Sequence, residues 1–115
     1  MVPAACSEPP EPRNVTDPAQ RDLGRAVIER LGCGACHDIP GIDWPRGRLG
    51  PSLQGFRDIG LIAGALPNNA ETLAAFVRDA PAAKPGSTMP PMPMTEDEAR
   101  AVAAYLYGMN DSRVR

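Results

Sequence analysis

An all-α fold, with three main helices and long loops, is predicted by three features of this 115-residue sequence. Apolar residues recur at helical spacing in three segments, each opened by a capping residue. Nowhere does the chain alternate with period two for long enough to make a strand. The connections are dense in glycine and proline, eleven and fourteen residues in all, which confines regular structure to those segments.

The length corresponds to one domain. Twelve basic against fourteen acidic side chains give a net charge of −2. Charges of both signs are scattered along the chain, so nothing points to a nucleic-acid partner. No apolar run approaches the length of a membrane span. The aromatic complement is small: Trp44, Phe56, Phe76, Tyr105 and Tyr107. So few large side chains leave room for something other than protein at the centre of the domain.

Residues 1–16, "MVPAACSEPPEPRNVT", are proline-rich and aperiodic, which predicts a disordered leader. Cys6 in "PAACS" resembles the lipidated cysteine of a bacterial lipoprotein, which would tether the chain to a membrane. Proline stands where leucine is usual in such signals, and an ordinary leader residue is the alternative reading. A domain is expected over 17–110, followed by a flexible tail at 111–115.

The first helix opens with Asp17 as N-cap, Pro18 at the first helical position and Gln20 placed to complete a capping box. Leu23, Ala26, Val27, Arg30 and Leu31 keep helical spacing, and Gly32 is the stop. A loop rich in glycine and proline, "DIPGIDWPRGRLGPSLQGF", follows. A second helix fits "NNAETLAAFVRDA", with Asn68 as cap, Glu71 three residues on and Pro81 as terminator. A third fits "TEDEARAVAAYLYG", where Thr95 and Glu98 form a capping box and Gly108 closes the helix. Between the last two lies "PAAKPGSTMPPMPM", whose five prolines exclude helix and central strand. It reads as a stiff strap with little freedom to lose on folding.

The first helix delivers the chain into "CGACH", residues 33–37. A structural zinc site wants four ligands, and the only other Cys or His is Cys6 in the leader. A thioredoxin-like pair needs a strand-rich frame that this chain lacks. A disulfide between Cys33 and Cys36 leaves the histidine unexplained. Covalent haem attachment uses all three residues: two thiols for thioether bonds and His37 as proximal ligand to iron. Electron transfer through such a haem needs a sixth ligand; the lack of a second histidine rules out bis-histidine ligation, and methionine is the usual partner. Met1 lies in the leader and Met109 trails the last helix, whereas Met89, Met92 and Met94 sit on the strap.

With these features the chain resembles a class I cytochrome c from about residue 17 to 109. The likeness is carried by "GCGACHDIPG", "GRLGPSLQGF", "LIAGALPNNAETLAAFVRDAPAAKPGSTMPPMPMT" and "EARAVAAYLYG". It is most similar to bacterial mono-haem cytochromes c of respiratory chains, including the cytochrome domains fused to subunit II of some haem–copper oxidases. The resemblance implies a cytochrome c fold wrapped around one haem c held by Cys33 and Cys36. The family's "KPG..MP" pattern falls on Lys84, Pro85, Gly86, Met89 and Pro90, which makes Met89 the iron ligand opposite His37. Met92 and Met94 then line the haem pocket, with Met92 the substitute ligand. The family's Gly-Pro pair falls on Gly50 and Pro51, where the proline carbonyl accepts the ring N–H of His37; a plain turn is the alternative. A crossing of first and last helices falls on Gly24 and Tyr105, with Tyr107 nearer solvent. Leu61 stands where relatives often carry a tyrosine that reaches a haem propionate. Trp44 and Arg48 are the replacements expected for that contact, with solvated surface as their other reading.

The function implied is one-electron carriage between respiratory redox proteins: a cytochrome c reductase or dehydrogenase as donor, a terminal oxidase or reductase as acceptor. With both axial positions filled, no substrate chemistry is expected, and the chain is not read as an enzyme. Alternatives are a fixed subunit of a larger oxidase or dehydrogenase, or a haem enzyme or sensor with a labile sixth ligand. Arg46, Arg48 and Lys84 would form a modest cationic rim at the haem edge, or simply solubilising charge. Attachment through two thioethers implies maturation outside the cytoplasm, in the periplasm or on its membrane face.

Overall fold

The computed structural model describes residues 17–108. The leader with Cys6, the 111–115 tail, Met1 and Met109 lie outside the described residues.

Helix α1 spans Pro18–Leu31, and the Asp17 side chain accepts from the Ala19 N–H at 3.0 Å. Gly32, at φ 72°, ends it in the left-handed conformation that lets its N–H return to the last turn. Gln20 does not close a capping box: its Oε1 is buried with no hydrogen-bond partner among the described residues. The buried stripe is Gly24, Val27 and Ile28, with Leu31 partly buried, so Leu23 stays 43% exposed. Spacings of three and four from Gly24 define that stripe.

Helix α4, Glu96–Gly108, packs on α1 in the most extensive helix contact of the fold. A Cβ at Gly24 would collide with the Ala101 carbonyl and lie 2.9 Å from Tyr105 Cβ. Only glycine permits the backbones to approach this closely, as the resemblance implied. The Thr95 capping box is complete, with Glu98 N–H on Thr95 Oγ1 (3.0 Å) and Thr95 N–H on Glu98 Oε1 (2.9 Å). Arg30 grips the same carboxylate with both guanidinium nitrogens, at 3.0 and 3.2 Å, joining the end of α1 to the start of α4.

Helix α2 is Ala70–Arg78, and its cap is Asn69, whose side chain accepts from the Thr72 N–H at 2.8 Å. Asn68, expected as the cap, instead donates from Nδ2 to the carbonyls of Phe56 (3.0 Å) and Ile59 (2.8 Å) and accepts the Tyr107 hydroxyl. Pro81 is likewise not a terminator. The chain breaks at Asp79, which caps a further short helix, α3 (Ala80–Ala83), and Pro81 sits in its first turn. There its missing N–H costs nothing, because first-turn donors have no intrahelical partner.

One small ladder joins β1 (Leu61–Ile62) to β2 (Leu66–Pro67) antiparallel. Its turn places Ala63 and Gly64 at φ 54° and 76°. The core gathers Val27, Ile28, Ile39, Ile42, Phe56, Ile62, Leu73, Val77, Val102, Tyr105 and Leu106 between α1, α2, α4 and the loops.

Candidate functional site

The CGACH segment follows α1 as a 3-10 turn over Cys33–Ala35. The N–H groups of Cys36 and His37 both return to the Cys33 carbonyl, at 3.2 and 3.0 Å, which brings all three functional residues onto one turn. Both cysteines are free, partly buried thiols. Burial pushes the Cys33 thiol above its ordinary pKa, chiefly by desolvating the thiolate.

The 46–54 loop lies directly on this turn. Gly47 N–H donates to the Gly34 carbonyl (2.8 Å), Gly50 N–H to the Cys36 carbonyl (2.7 Å) and Leu53 N–H to the Asp38 carbonyl (2.8 Å). A Cβ at Gly50 would strike the His37 ring, and one at Gly47 would strike the Ala35 carbonyl. Between these rungs, His37 Nδ1 lies 2.7 Å from the Pro51 carbonyl oxygen. A carbonyl only accepts, so Nδ1 carries the proton and Nε2 presents a free lone pair. This histidine is thereby prepared, in tautomer and in orientation, as a metal ligand.

The strap runs from Lys84 to Thr95 without helix or strand. Ser87 folds back on the Lys84 carbonyl through both its hydroxyl (2.8 Å) and its N–H (3.1 Å). Farther on, Met92 N–H donates to the Arg78 carbonyl (3.0 Å), and Arg78 Nε donates to the Met94 carbonyl (3.3 Å). The strap is thus folded on itself at Lys84–Ser87, and its Met92–Met94 end is fastened to Arg78 at the end of α2. Met89 and Met94 pack against the same core cluster as Cys33. Met92 is partly buried and held through its backbone.

Trp44 and Arg48 lie on the 40–49 loop, and Trp44 is 84% exposed. Arg48 lines a shallow recess with Asp38 and Arg46. Asp38, which sequence reasoning passed over, is the hub of the loop. Its Oδ1 accepts from Arg46 Nε (3.3 Å) and Gln54 Nε2 (3.5 Å), and its Oδ2 from Ser52 Oγ (3.3 Å). Those partners stand eight to sixteen positions away, so no local spacing reveals them.

The profile of the cytochrome c family matches residues 22–110. The chain belongs to the cytochrome c family. This cytochrome is 39% identical over 84 residues to cytochrome c oxidase subunit 2 of Alkalihalophilus pseudofirmus, an alignment covering 72% of this chain and 24% of that protein. It is 33% identical over 99 residues to cytochrome c oxidase subunit 2 of Bacillus sp. strain PS3, covering 83% and 27%. The chain thus spans about a quarter of the length of these relatives. The crystal structure of the c-type cytochrome SorU from Sinorhizobium meliloti superposes with a TM-score of 0.58 at 24% identity, covering 81% of this chain and 93% of that one, which shows a common fold.

Membership of the family implies electron transfer through haem c. The residues of the site fit that group. Two thiols stand free at the required spacing, an imidazole offers Nε2 with its other nitrogen held, and a thioether-bearing strap is tied to the same core. Among the described residues no helix is long and apolar enough to cross a membrane.

Proposed function

We propose that this cytochrome is a one-electron carrier of a respiratory chain, with one haem c bound through Cys33 and Cys36 and its iron held by His37 and Met89. The observation that carries this reading is the His37–Pro51 hydrogen bond, which leaves Nε2 as a strong donor in a fixed orientation. When bound, haem supplies one-electron exchange between ferrous and ferric iron. His37 donates from Nε2 while the Pro51 carbonyl stiffens its ring. Met89 supplies a soft sulfur that favours the reduced iron and raises the potential. The strap, tied to Arg78 through Met92 and Met94, would hold that sulfur in place in both oxidation states, so that little reorganisation would accompany each transfer. With His37 and Met89 both holding the iron, no position would be left on it for a substrate.

Substituting Met89→Ala tests the assignment. The expected outcome is loss of the weak red charge-transfer band of the ferric protein and gain of binding by small exogenous ligands. An unchanged spectrum in the variant rules Met89 out as ligand. Ligand binding by the unaltered protein would favour the sensor or enzyme reading instead.

Arg48 and Lys84 would steer an acidic redox partner to the haem edge. Maturation through two thioethers would occur outside the cytoplasm, in the periplasm or on its membrane face, where a lipid on Cys6 would hold the protein to the membrane. A second reading, a fixed electron-transfer part of a larger oxidase, is favoured by the identity to two oxidase subunits. Co-purification from native membranes separates the two readings. A stoichiometric oxidase assembly supports the fixed subunit, and recovery of the cytochrome alone supports the carrier.

A further inference from the structure

The Pro51 carbonyl is delivered to His37 by an irregular loop that packs on the core through Leu53 and on the CGACH turn through Gly47 and Gly50. Pro51 and Ser52 are exposed, Leu49 is 87% exposed, and no helix or strand lies between Cys36 and Phe56. Gly47 and Gly50 fasten the approach to Pro51 through the backbone. Beyond Pro51, the backbone tie is Leu53 N–H on the Asp38 carbonyl, and the side-chain ties also converge on Asp38. Its carboxylate accepts from Arg46 on one side of Pro51 and from Ser52 and Gln54 on the other. Ser52 Oγ also accepts from the Gln54 N–H at 3.2 Å, so the segment after Pro51 closes into a small turn on the carboxylate. The Asp38 side chain is 27% exposed, against 64% for Arg46, so the acceptor is the better shielded member of the pair.

We propose that Asp38 is a positioning residue for the axial histidine: its carboxylate clamps the 46–54 loop so that the Pro51 carbonyl stays on His37 Nδ1, and the clamp thereby helps set the reduction potential. This rests on the haem reading above. The physical chain is short. An imidazole that donates Nδ1–H to a carbonyl gains anionic character and donates more strongly from Nε2, which favours ferric iron and lowers the potential. Releasing the clamp lengthens that hydrogen bond, so the potential rises and the Nδ1 proton exchanges faster with solvent.

Charge alone is the competing explanation, because a carboxylate near ferric iron stabilises it without positioning anything. Two variants separate the effects. Asp38→Ala removes clamp and charge together. The double variant Ser52→Ala/Gln54→Leu removes two tethers from exposed positions and leaves the charge in place. The potential and the exchange of the His37 Nδ1 proton, followed by NMR in the diamagnetic ferrous state, are measured in both. The expected result is a raised potential in both variants, with exchange faster by about fivefold to tenfold, as loss of one ordinary hydrogen bond allows. A raised potential in Asp38→Ala alone, with exchange unchanged in both, shows that the carboxylate acts by charge and overturns the proposal. No shift in either variant overturns it equally. If Asp38→Ala does not mature, the double variant decides by itself. A parent protein that carries no haem would refute the proposed function instead, which its absorption spectrum reveals before any variant is compared.

Discussion

At the level of single residues, one tyrosine and one asparagine couple the 56–59 loop to the last helix. Tyr107 donates to Asn68 Oδ1, and its ring meets Phe56 at 5.8 Å between centroids. Asn68 spends its amide hydrogens on two loop carbonyls. Burial pushes the Tyr107 pKa up to about 12 and that of Tyr105 in the same direction. An unfolded tyrosine titrates near 10. Below that pH both states keep the proton and the contribution is fully present. Between about pH 10 and 12 the unfolded chain releases a proton that the folded chain retains, so stability falls as pH rises. Urea midpoints measured at intervals from pH 9 to about pH 12 should fall in the parent protein and fall less in Tyr107→Phe. Equal slopes would show that this hydroxyl does not carry the effect. The Asn68–Tyr107 pair was not legible in the sequence: Asn68 and Asn69 are the same residue, and only the loop carbonyls of Phe56 and Ile59 decide which of them caps α2.

At the level of elements, what could be read was what is encoded locally. Asp17-Pro18 and Thr95-Glu98 mark the starts of α1 and α4 because capping chemistry is complete within four residues. The β1–β2 hairpin escaped notice because each strand is two residues long and its turn uses Ala63-Gly64, not the Asn-Gly that announces such a turn. The break at Asp79 escaped because a proline after a helix reads equally as a stop or as the start of the next one. The helix crossing gives the sharpest test at this scale. On a solvent-facing helix position, glycine to alanine gains about 1 kcal/mol from propensity. At Gly24 the added methyl meets the Ala101 carbonyl and Tyr105, and overpacking of this kind costs about 1–3 kcal/mol. The steric term should win, because the obstacle is backbone on a helix that cannot move alone. Thermal unfolding of Gly24→Ala should occur roughly 5–10 °C below the parent, given the entropy of unfolding of a domain this size. An unchanged or higher midpoint would mean that α1 and α4 are separated more widely than described.

For the whole molecule, the question is what holds ninety-odd residues together when the interior offers so little. The buried face of α4 is largely Ala99, Ala101, Ala103 and Ala104, and Phe56 and Tyr105 are the buried aromatic side chains among the described residues. Burial energy scales with apolar area, and small domains have little surplus over conformational entropy. Cys33, Met89 and Met94 all pack onto that same core, so a large planar apolar group held by these residues would extend the core, not merely sit beside it. A covalently tethered group also acts at high effective concentration and cannot dissociate on unfolding, so its contacts with the native state are always available. Stability and redox function should therefore share one origin. The variant Cys33→Ser/Cys36→Ser, matured without covalent haem, is expected to keep part of its far-ultraviolet helical signal while losing near-ultraviolet circular dichroism. Its dependence on denaturant should also be shallower, because less surface is buried in its folded state. If instead the variant unfolds with the same midpoint and slope as the parent, the protein side chains alone suffice for the core and the haem is only a passenger on a finished fold.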